Sequence, residues 1–223
     1  MSTPSETGPQ AVQEYLRADE PRGWMLLLDP FRRIEGTTAL LLGLVVVGAT
    51  VLLGVEGRIV YNGVADVNIC WLPEPAYVMS LMPMMEWLIA VLILGLAGRL
   101  FSRSRQRLVD YLGMLAVARL PLVIMGVLSL QPLVGKQLLQ IAQWTLQNPQ
   151  SVNAQPLLQF PGPKWFAAVS IVLAVWNGFL TYYALKEASG MSRWRAILVF
   201  LAAAYVASFV GKLAAEALMG VGL

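Results

Sequence analysis

The sequence predicts an all-α polytopic membrane protein, a bundle of five transmembrane helices. Three observations carry that prediction. Of 223 residues, 57% are hydrophobic and 13% charged, whereas an ordinary soluble domain has about twice that share of charge. The apolar residues gather into five runs of about 20, each long enough to cross a ~30 Å hydrocarbon core. The basic residues, in turn, alternate between the connections in the manner of topology signals.

Taken in order, residues 1–23 form a polar tail without the short apolar core of a cleavable signal. Residues 24–36 place Trp24, Leu27, Leu28, Phe31 and Ile34 at helical spacing, interrupted by Pro30. That pattern predicts an amphipathic interfacial segment on the cytoplasmic surface. The transmembrane domain, 37–223, then has spans at about 37–55, 78–100, 108–130, 165–185 and 196–218. Pro121 bends the third of these. The first outer loop, 56–77, contains Pro73 and Pro75 and is expected to be compact and irregular. The second, 131–164, opens with an amphipathic stretch at 137–147. There Leu138, Ile141, Trp144 and Thr145 face one way, and Gln137, Gln140 and Gln147 the other. This predicts a helix resting at the outer interface, more often a brace than a ligand site. The Pro- and Gln-rich remainder reads as loop.

Orientation follows from charge. Eleven basic residues fall in the N-terminal tail and in the connections after the second and fourth spans; Arg58, Lys136 and Lys164 fall on the other side. The positive-inside rule then puts the N-terminus in the cytoplasm and the C-terminus outside. A pI near 9.2 fits an anionic cytoplasmic leaflet. No basic run is interleaved with aromatics, which argues against a nucleic-acid partner.

The chain has no histidine and one cysteine, Cys70. It therefore lacks the commonest general base and metal ligand, and one thiol makes neither an internal disulfide nor a thiolate cluster. No catalytic residue, cofactor or metal is expected. Cys70 reads as a lone thiol in an outer loop, with pairing between chains as the alternative.

Chemistry, if present, lies where polar groups enter the spans, because a charge at the centre of one costs about 2.5–3.5 kcal/mol. Glu86 and Arg119 come to similar depths in antiparallel neighbours. They predict an intramembrane ion pair, whose plainer role is a structural clamp and whose sharper role is transport. Asn177, midway along the fourth span, reads as an interhelical contact before a substrate contact. Lys212 lies four residues from Glu216, near enough for a local ion pair or for snorkelling. Ala203, Ala207, Gly211 and Ala215 form a small-residue stripe on the last span, the candidate helix-packing face.

Three stretches resemble one family: WMLLLDPFRRIEG before the first span, YLGMLAVARLPLVI in the third, and WNGFLTYYALKEASGMSRWRAI joining the last two. Asp29-Pro30, Tyr111 with Gly113 and Pro121, and the Gly190/Ser192/Arg195 turn carry the likeness. The chain resembles the Yip domain family (Ypt/Rab-interacting integral membrane proteins), in its bacterial branch. The resemblance implies five spans and a membrane adaptor or organiser without established catalysis. Only Asp29-Pro30 is left of the Asp-Leu-x-Gly-Pro motif of eukaryotic members, so Rab-GTPase binding is not carried over.

The sequence thus favours a non-enzymatic scaffold or accessory subunit in a bacterial inner membrane. Its expected partners are the lipid bilayer and either another membrane protein or a second copy of the chain. A small transporter or channel component using Glu86 and Arg119 is the alternative.

Overall fold

With no water in hydrocarbon to bond a peptide group, a spanning segment must satisfy its own amides, and the apolar runs do so as helices. The computed structural model describes residues 27, 29–31, 34, 36–57, 59–61, 67–69, 76–102, 107–147 and 161–220. Helices α1 (Gly36–Gly57) and α2 (Ala76–Phe101) form the first two spans. The third is divided into α3 (Leu108–Val117) and α4 (Leu120–Ser129). Helix α5 (Pro132–Gln147) lies in the following connection, and α6 (Pro161–Ser189) and α7 (Arg193–Gly220) complete the bundle. Five helical stretches are long and apolar enough to cross a membrane, the third being α3 and α4 together.

Two features differ from the sequence reading. The first loop is not wholly irregular: β1 (Ile59–Tyr61) and β2 (Val67–Ile69) pair antiparallel, with Val60 opposite Asn68. Both strands are mostly β-branched or aromatic, residue types that suit a strand. The third span is interrupted by a tight turn where the sequence predicts a bend. Its ladder gives way at Ala118 and Arg119, where Arg119 N donates to Ala116 O at 3.1 Å and Leu122 N to Arg119 O at 2.9 Å. Proline has no amide to donate and its ring crowds the carbonyl four residues back, whereas the first turn of a new helix accepts it freely. Pro121 accordingly sits in the first turn of α4.

The third span is the central one. Its most apolar window is 67% buried, against 28% for those of α1 and α7 at the periphery. It meets α1 almost backbone to backbone. A Cβ on Gly113 would stand 2.5 Å from Leu40 N, and one on Gly43 would stand 2.5 Å from the Ala116 methyl. Tyr111, fully buried, lies with its ring over Gly95 and Gly98 of α2. Around these contacts the main core gathers Trp87, Val91, Leu94, Met114, Leu180 and Leu185.

The ends of the helices are tied by polar contacts. Gly36, at φ 63°, donates its N–H to Asp110 Oδ1 at 3.1 Å, joining the start of α1 to that of α3. Gly190, at φ 61°, closes α6 by donating to Lys186 O at 2.9 Å, a left-handed cap that favours glycine. Ser102 Oγ donates to Ser189 O, holding the end of α2 against the end of α6.

Of segment 24–36, most lies outside the described residues. Phe31 enters the main core, Asp29 is buried, and Leu27 O accepts a bond from Trp176 Nε1 at 2.8 Å. Helix α5 starts at Pro132, earlier than predicted, and packs on α6 through Val134, which clusters with Phe166 and Leu173; Ile141 is buried too. Its Gln137 is not a free polar face: Oε1 accepts the Gly162 N–H at 2.8 Å and so caps the start of α6. Cys70, Pro73, Pro75 and the remainder of the second loop lie outside the described residues.

Candidate functional site

The break in the third span sets the site. Arg119 follows the C-terminus of α3 and is the N-cap of α4. It lies 11 residues from the start of α3, about 16 Å along the axis. On α2, Glu86 lies 10 residues from Ala76, at about 15 Å. Both are buried, at 7% and 3% exposure.

Glu86 and Arg119 line one small cavity together with Asn177 and Thr181 of α6, Trp87 and Ala90 of α2, and Leu115 of α3. Its volume is about 20 Å³, room for about one water molecule. Arg119 Nη1 donates to the Pro83 carbonyl at 2.6 Å, clamping the broken span to α2. Thr181 Oγ1 donates to Asn177 O at 2.8 Å, a back-bond that keeps the hydroxyl satisfied on its own helix.

Helix α7 closes the cluster from the far side. Its chief partner is α2, and Ala203, Ala207, Gly211 and Ala215 are all buried. Ala215 packs with Val78, Met79 and Met82 of α2, and Ala203 enters the main core. Gly211 faces the carboxylate itself: a Cβ there would stand 2.7 Å from Glu86 Oε1. Small residues admit the backbone of α7 to a distance at which a charged group of α2 fits beneath it.

Among the residues singled out from the sequence, Glu86, Arg119 and Asn177 meet at one cavity, and Gly211 touches the same carboxylate. Lys212 is not among the residues that line the cavity; it is exposed on α7. Sequence reasoning overlooked Pro83, Trp87 and Thr181. Thr181 lies four residues from Asn177, hence on the same helical face, and Pro83 is a helix-breaking residue three positions from an intramembrane acid. Both signals were there to be used.

Fold and cluster define a multi-pass integral membrane protein whose buried polar groups join its spans. The family model described as the Yip1 domain matches residues 15–214, and the chain belongs to that family. No curated protein and no solved structure matches it.

Proposed function

We propose that the chain is a non-catalytic membrane scaffold or accessory subunit, binding another membrane protein or a second copy of itself in membrane organisation or trafficking. The observation that carries this reading is the burial of the polar cluster, with Glu86, Arg119 and Asn177 all buried. Glu86, Arg119 and Asn177 surround a space of about 20 Å³, the size of one water. Buried charges of this kind fix helix register, and their removal destabilises the fold. Membership of the Yip1 domain family supports the same reading. The eleven-to-three bias of basic residues supports a cytoplasmic N-terminus and an outward C-terminus in a bacterial inner membrane.

The test is purification in mild detergent at native expression level, followed by crosslinking and mass determination. A defined complex with a second membrane protein, or a defined homo-oligomer, is the expected result; a monomer without partners contradicts it. One observation favours a small transporter or channel component instead. Discontinuous spans with charged groups at the break are a device of transporters, and Arg119 occupies such a break. Solute flux in liposomes that Glu86→Gln and Arg119→Gln abolish, with folding intact, would establish that alternative.

A further inference from the structure

Helices α6 and α7 are consecutive, yet α7 packs mainly on α2. A cleft of about 350 Å³ is left between them, near their connecting turn. Gly178, Phe179 and Tyr182 line it from α6, and Arg193, Ile197 and Phe200 from α7. The spacings are those of one face on each helix. Across the cleft the rings of Tyr182 and Phe200 meet edge to face at 5.9 Å. Gly178 gives the cleft its width, since a Cβ there would meet nothing within 4 Å.

Depth separates the two ends of this cleft. Arg193 is the first residue of α7 and is exposed, next to Trp194 at 76% exposure. A Trp beside a basic residue at a helix end marks the membrane–water interface. Phe200 lies seven residues further on, about 10 Å deeper into the hydrocarbon. The cleft therefore carries a cation at its interfacial mouth and apolar walls below. Among the described residues lining the cleft, Arg193 is the charged one; the neighbouring Lys186 is engaged by Glu187 at 2.7 Å.

The geometry points to a binding site for one anionic phospholipid. The phosphate meets the Arg193 guanidinium, and an acyl chain occupies the cleft past Gly178 and Phe200. A basic pocket between spans is a known form of headgroup recognition. A free anion has no use for the apolar length of the cleft, and a zwitterionic lipid fills it without using the charge. The site is independent of the scaffold reading.

The test is native mass spectrometry of the full chain, equilibrated in detergent with equal amounts of phosphatidylglycerol and phosphatidylcholine of identical chains. The wild type is expected to retain phosphatidylglycerol over phosphatidylcholine by about five-fold. Arg193→Gln is expected to remove that preference while still holding lipid. Gly178→Leu fills the cleft and is expected to lower retention of both lipids, with thermal unfolding unchanged or raised. Glycerol phosphate in excess is expected not to displace the lipid. An absence of preference in the wild type, a preference that survives Arg193→Gln, retention unchanged by Gly178→Leu, or displacement by glycerol phosphate overturns the proposal. The wild-type measurement alone is sufficient to do so.

Discussion

Two helix crossings in this bundle use the same device on different partners. Where α1 meets α3, Gly43 and Gly113 bring backbone against backbone, with Ala39 and Ala116 alongside. Where α7 meets α2, Gly211 brings backbone against the carboxylate of Glu86. The first contact is apolar and cannot yield, because the atoms facing Gly113 belong to the main chain. The second faces the end of a side chain, held in a buried cluster with Arg119 and Asn177. Close approach in lipid, where no hydrophobic effect draws helices together, thus supports tight packing at one crossing and shelters a charged group at the other.

The largest expected effect comes from breaking the rigid crossing. Gly113→Val should cost about 3 kcal/mol or more, since overpacking against fixed backbone has no outlet. It should appear as loss of folded protein, or as a sharply lowered midpoint in SDS titration from mild detergent. A variant that unfolds with the wild type would show that α1 and α3 do not cross there.

Arg119→Gln comes next. It removes a charged donor from Pro83 O and should cost about 2 kcal/mol, read by the same titration. Coupling with Glu86 calls for a test other than a charge swap. An arginine at position 86 has no room under Gly211, so a charge swap would fail for steric reasons alone. A double-mutant cycle with Glu86→Gln and Arg119→Gln avoids this. Non-additivity of about 1 kcal/mol or more indicates direct coupling, and simple additivity refutes it.

Gly211→Ala should cost less, about 1 kcal/mol, because a side chain can shift where a backbone cannot. In a Glu86→Ala background that cost should vanish. If it persists there, the carboxylate is not what Gly211 accommodates.

The smallest effect belongs to a glycine outside both crossings. Gly48 is exposed on α1, and a Cβ there meets nothing within 4 Å. Gly48→Ala should therefore be neutral or stabilising by up to about 1 kcal/mol, through helix propensity alone. A marked loss would place an unrecognised helix partner on that face.

Much of the fold was legible in the sequence, and particular residues show where legibility ended. Five helices long and apolar enough to cross a membrane occupy the five apolar runs, every end within four residues of the expected bound. Pro121 announced a disturbance in the third span, but not that Arg119 would become a helix cap within the membrane. Glu86, Arg119 and Asn177 were identifiable because each is costly in lipid. Pro83 and Thr181 gave a weaker signal, through their spacing from Glu86 and Asn177 alone, since each has an innocuous reading in an isolated helix. The hairpin at 59–69 was missed because the prolines further along the loop outweighed two three-residue strands.

Transfer into hydrocarbon is a sum over neighbouring residues, so composition within a window determined the number, length and position of the spans. It does not determine which faces meet. Lipid tails are as apolar as leucine, and a helix that is apolar all round gives no sign of which side its neighbour occupies. In the sequence Gly43, Gly48 and Gly113 are three similar glycines in apolar runs. Only the tertiary structure decided that two of them are crossing points and the third is open, and that Gly211 lies against a carboxylate. Those distinctions depend on ångström-scale approach between helices distant in the chain.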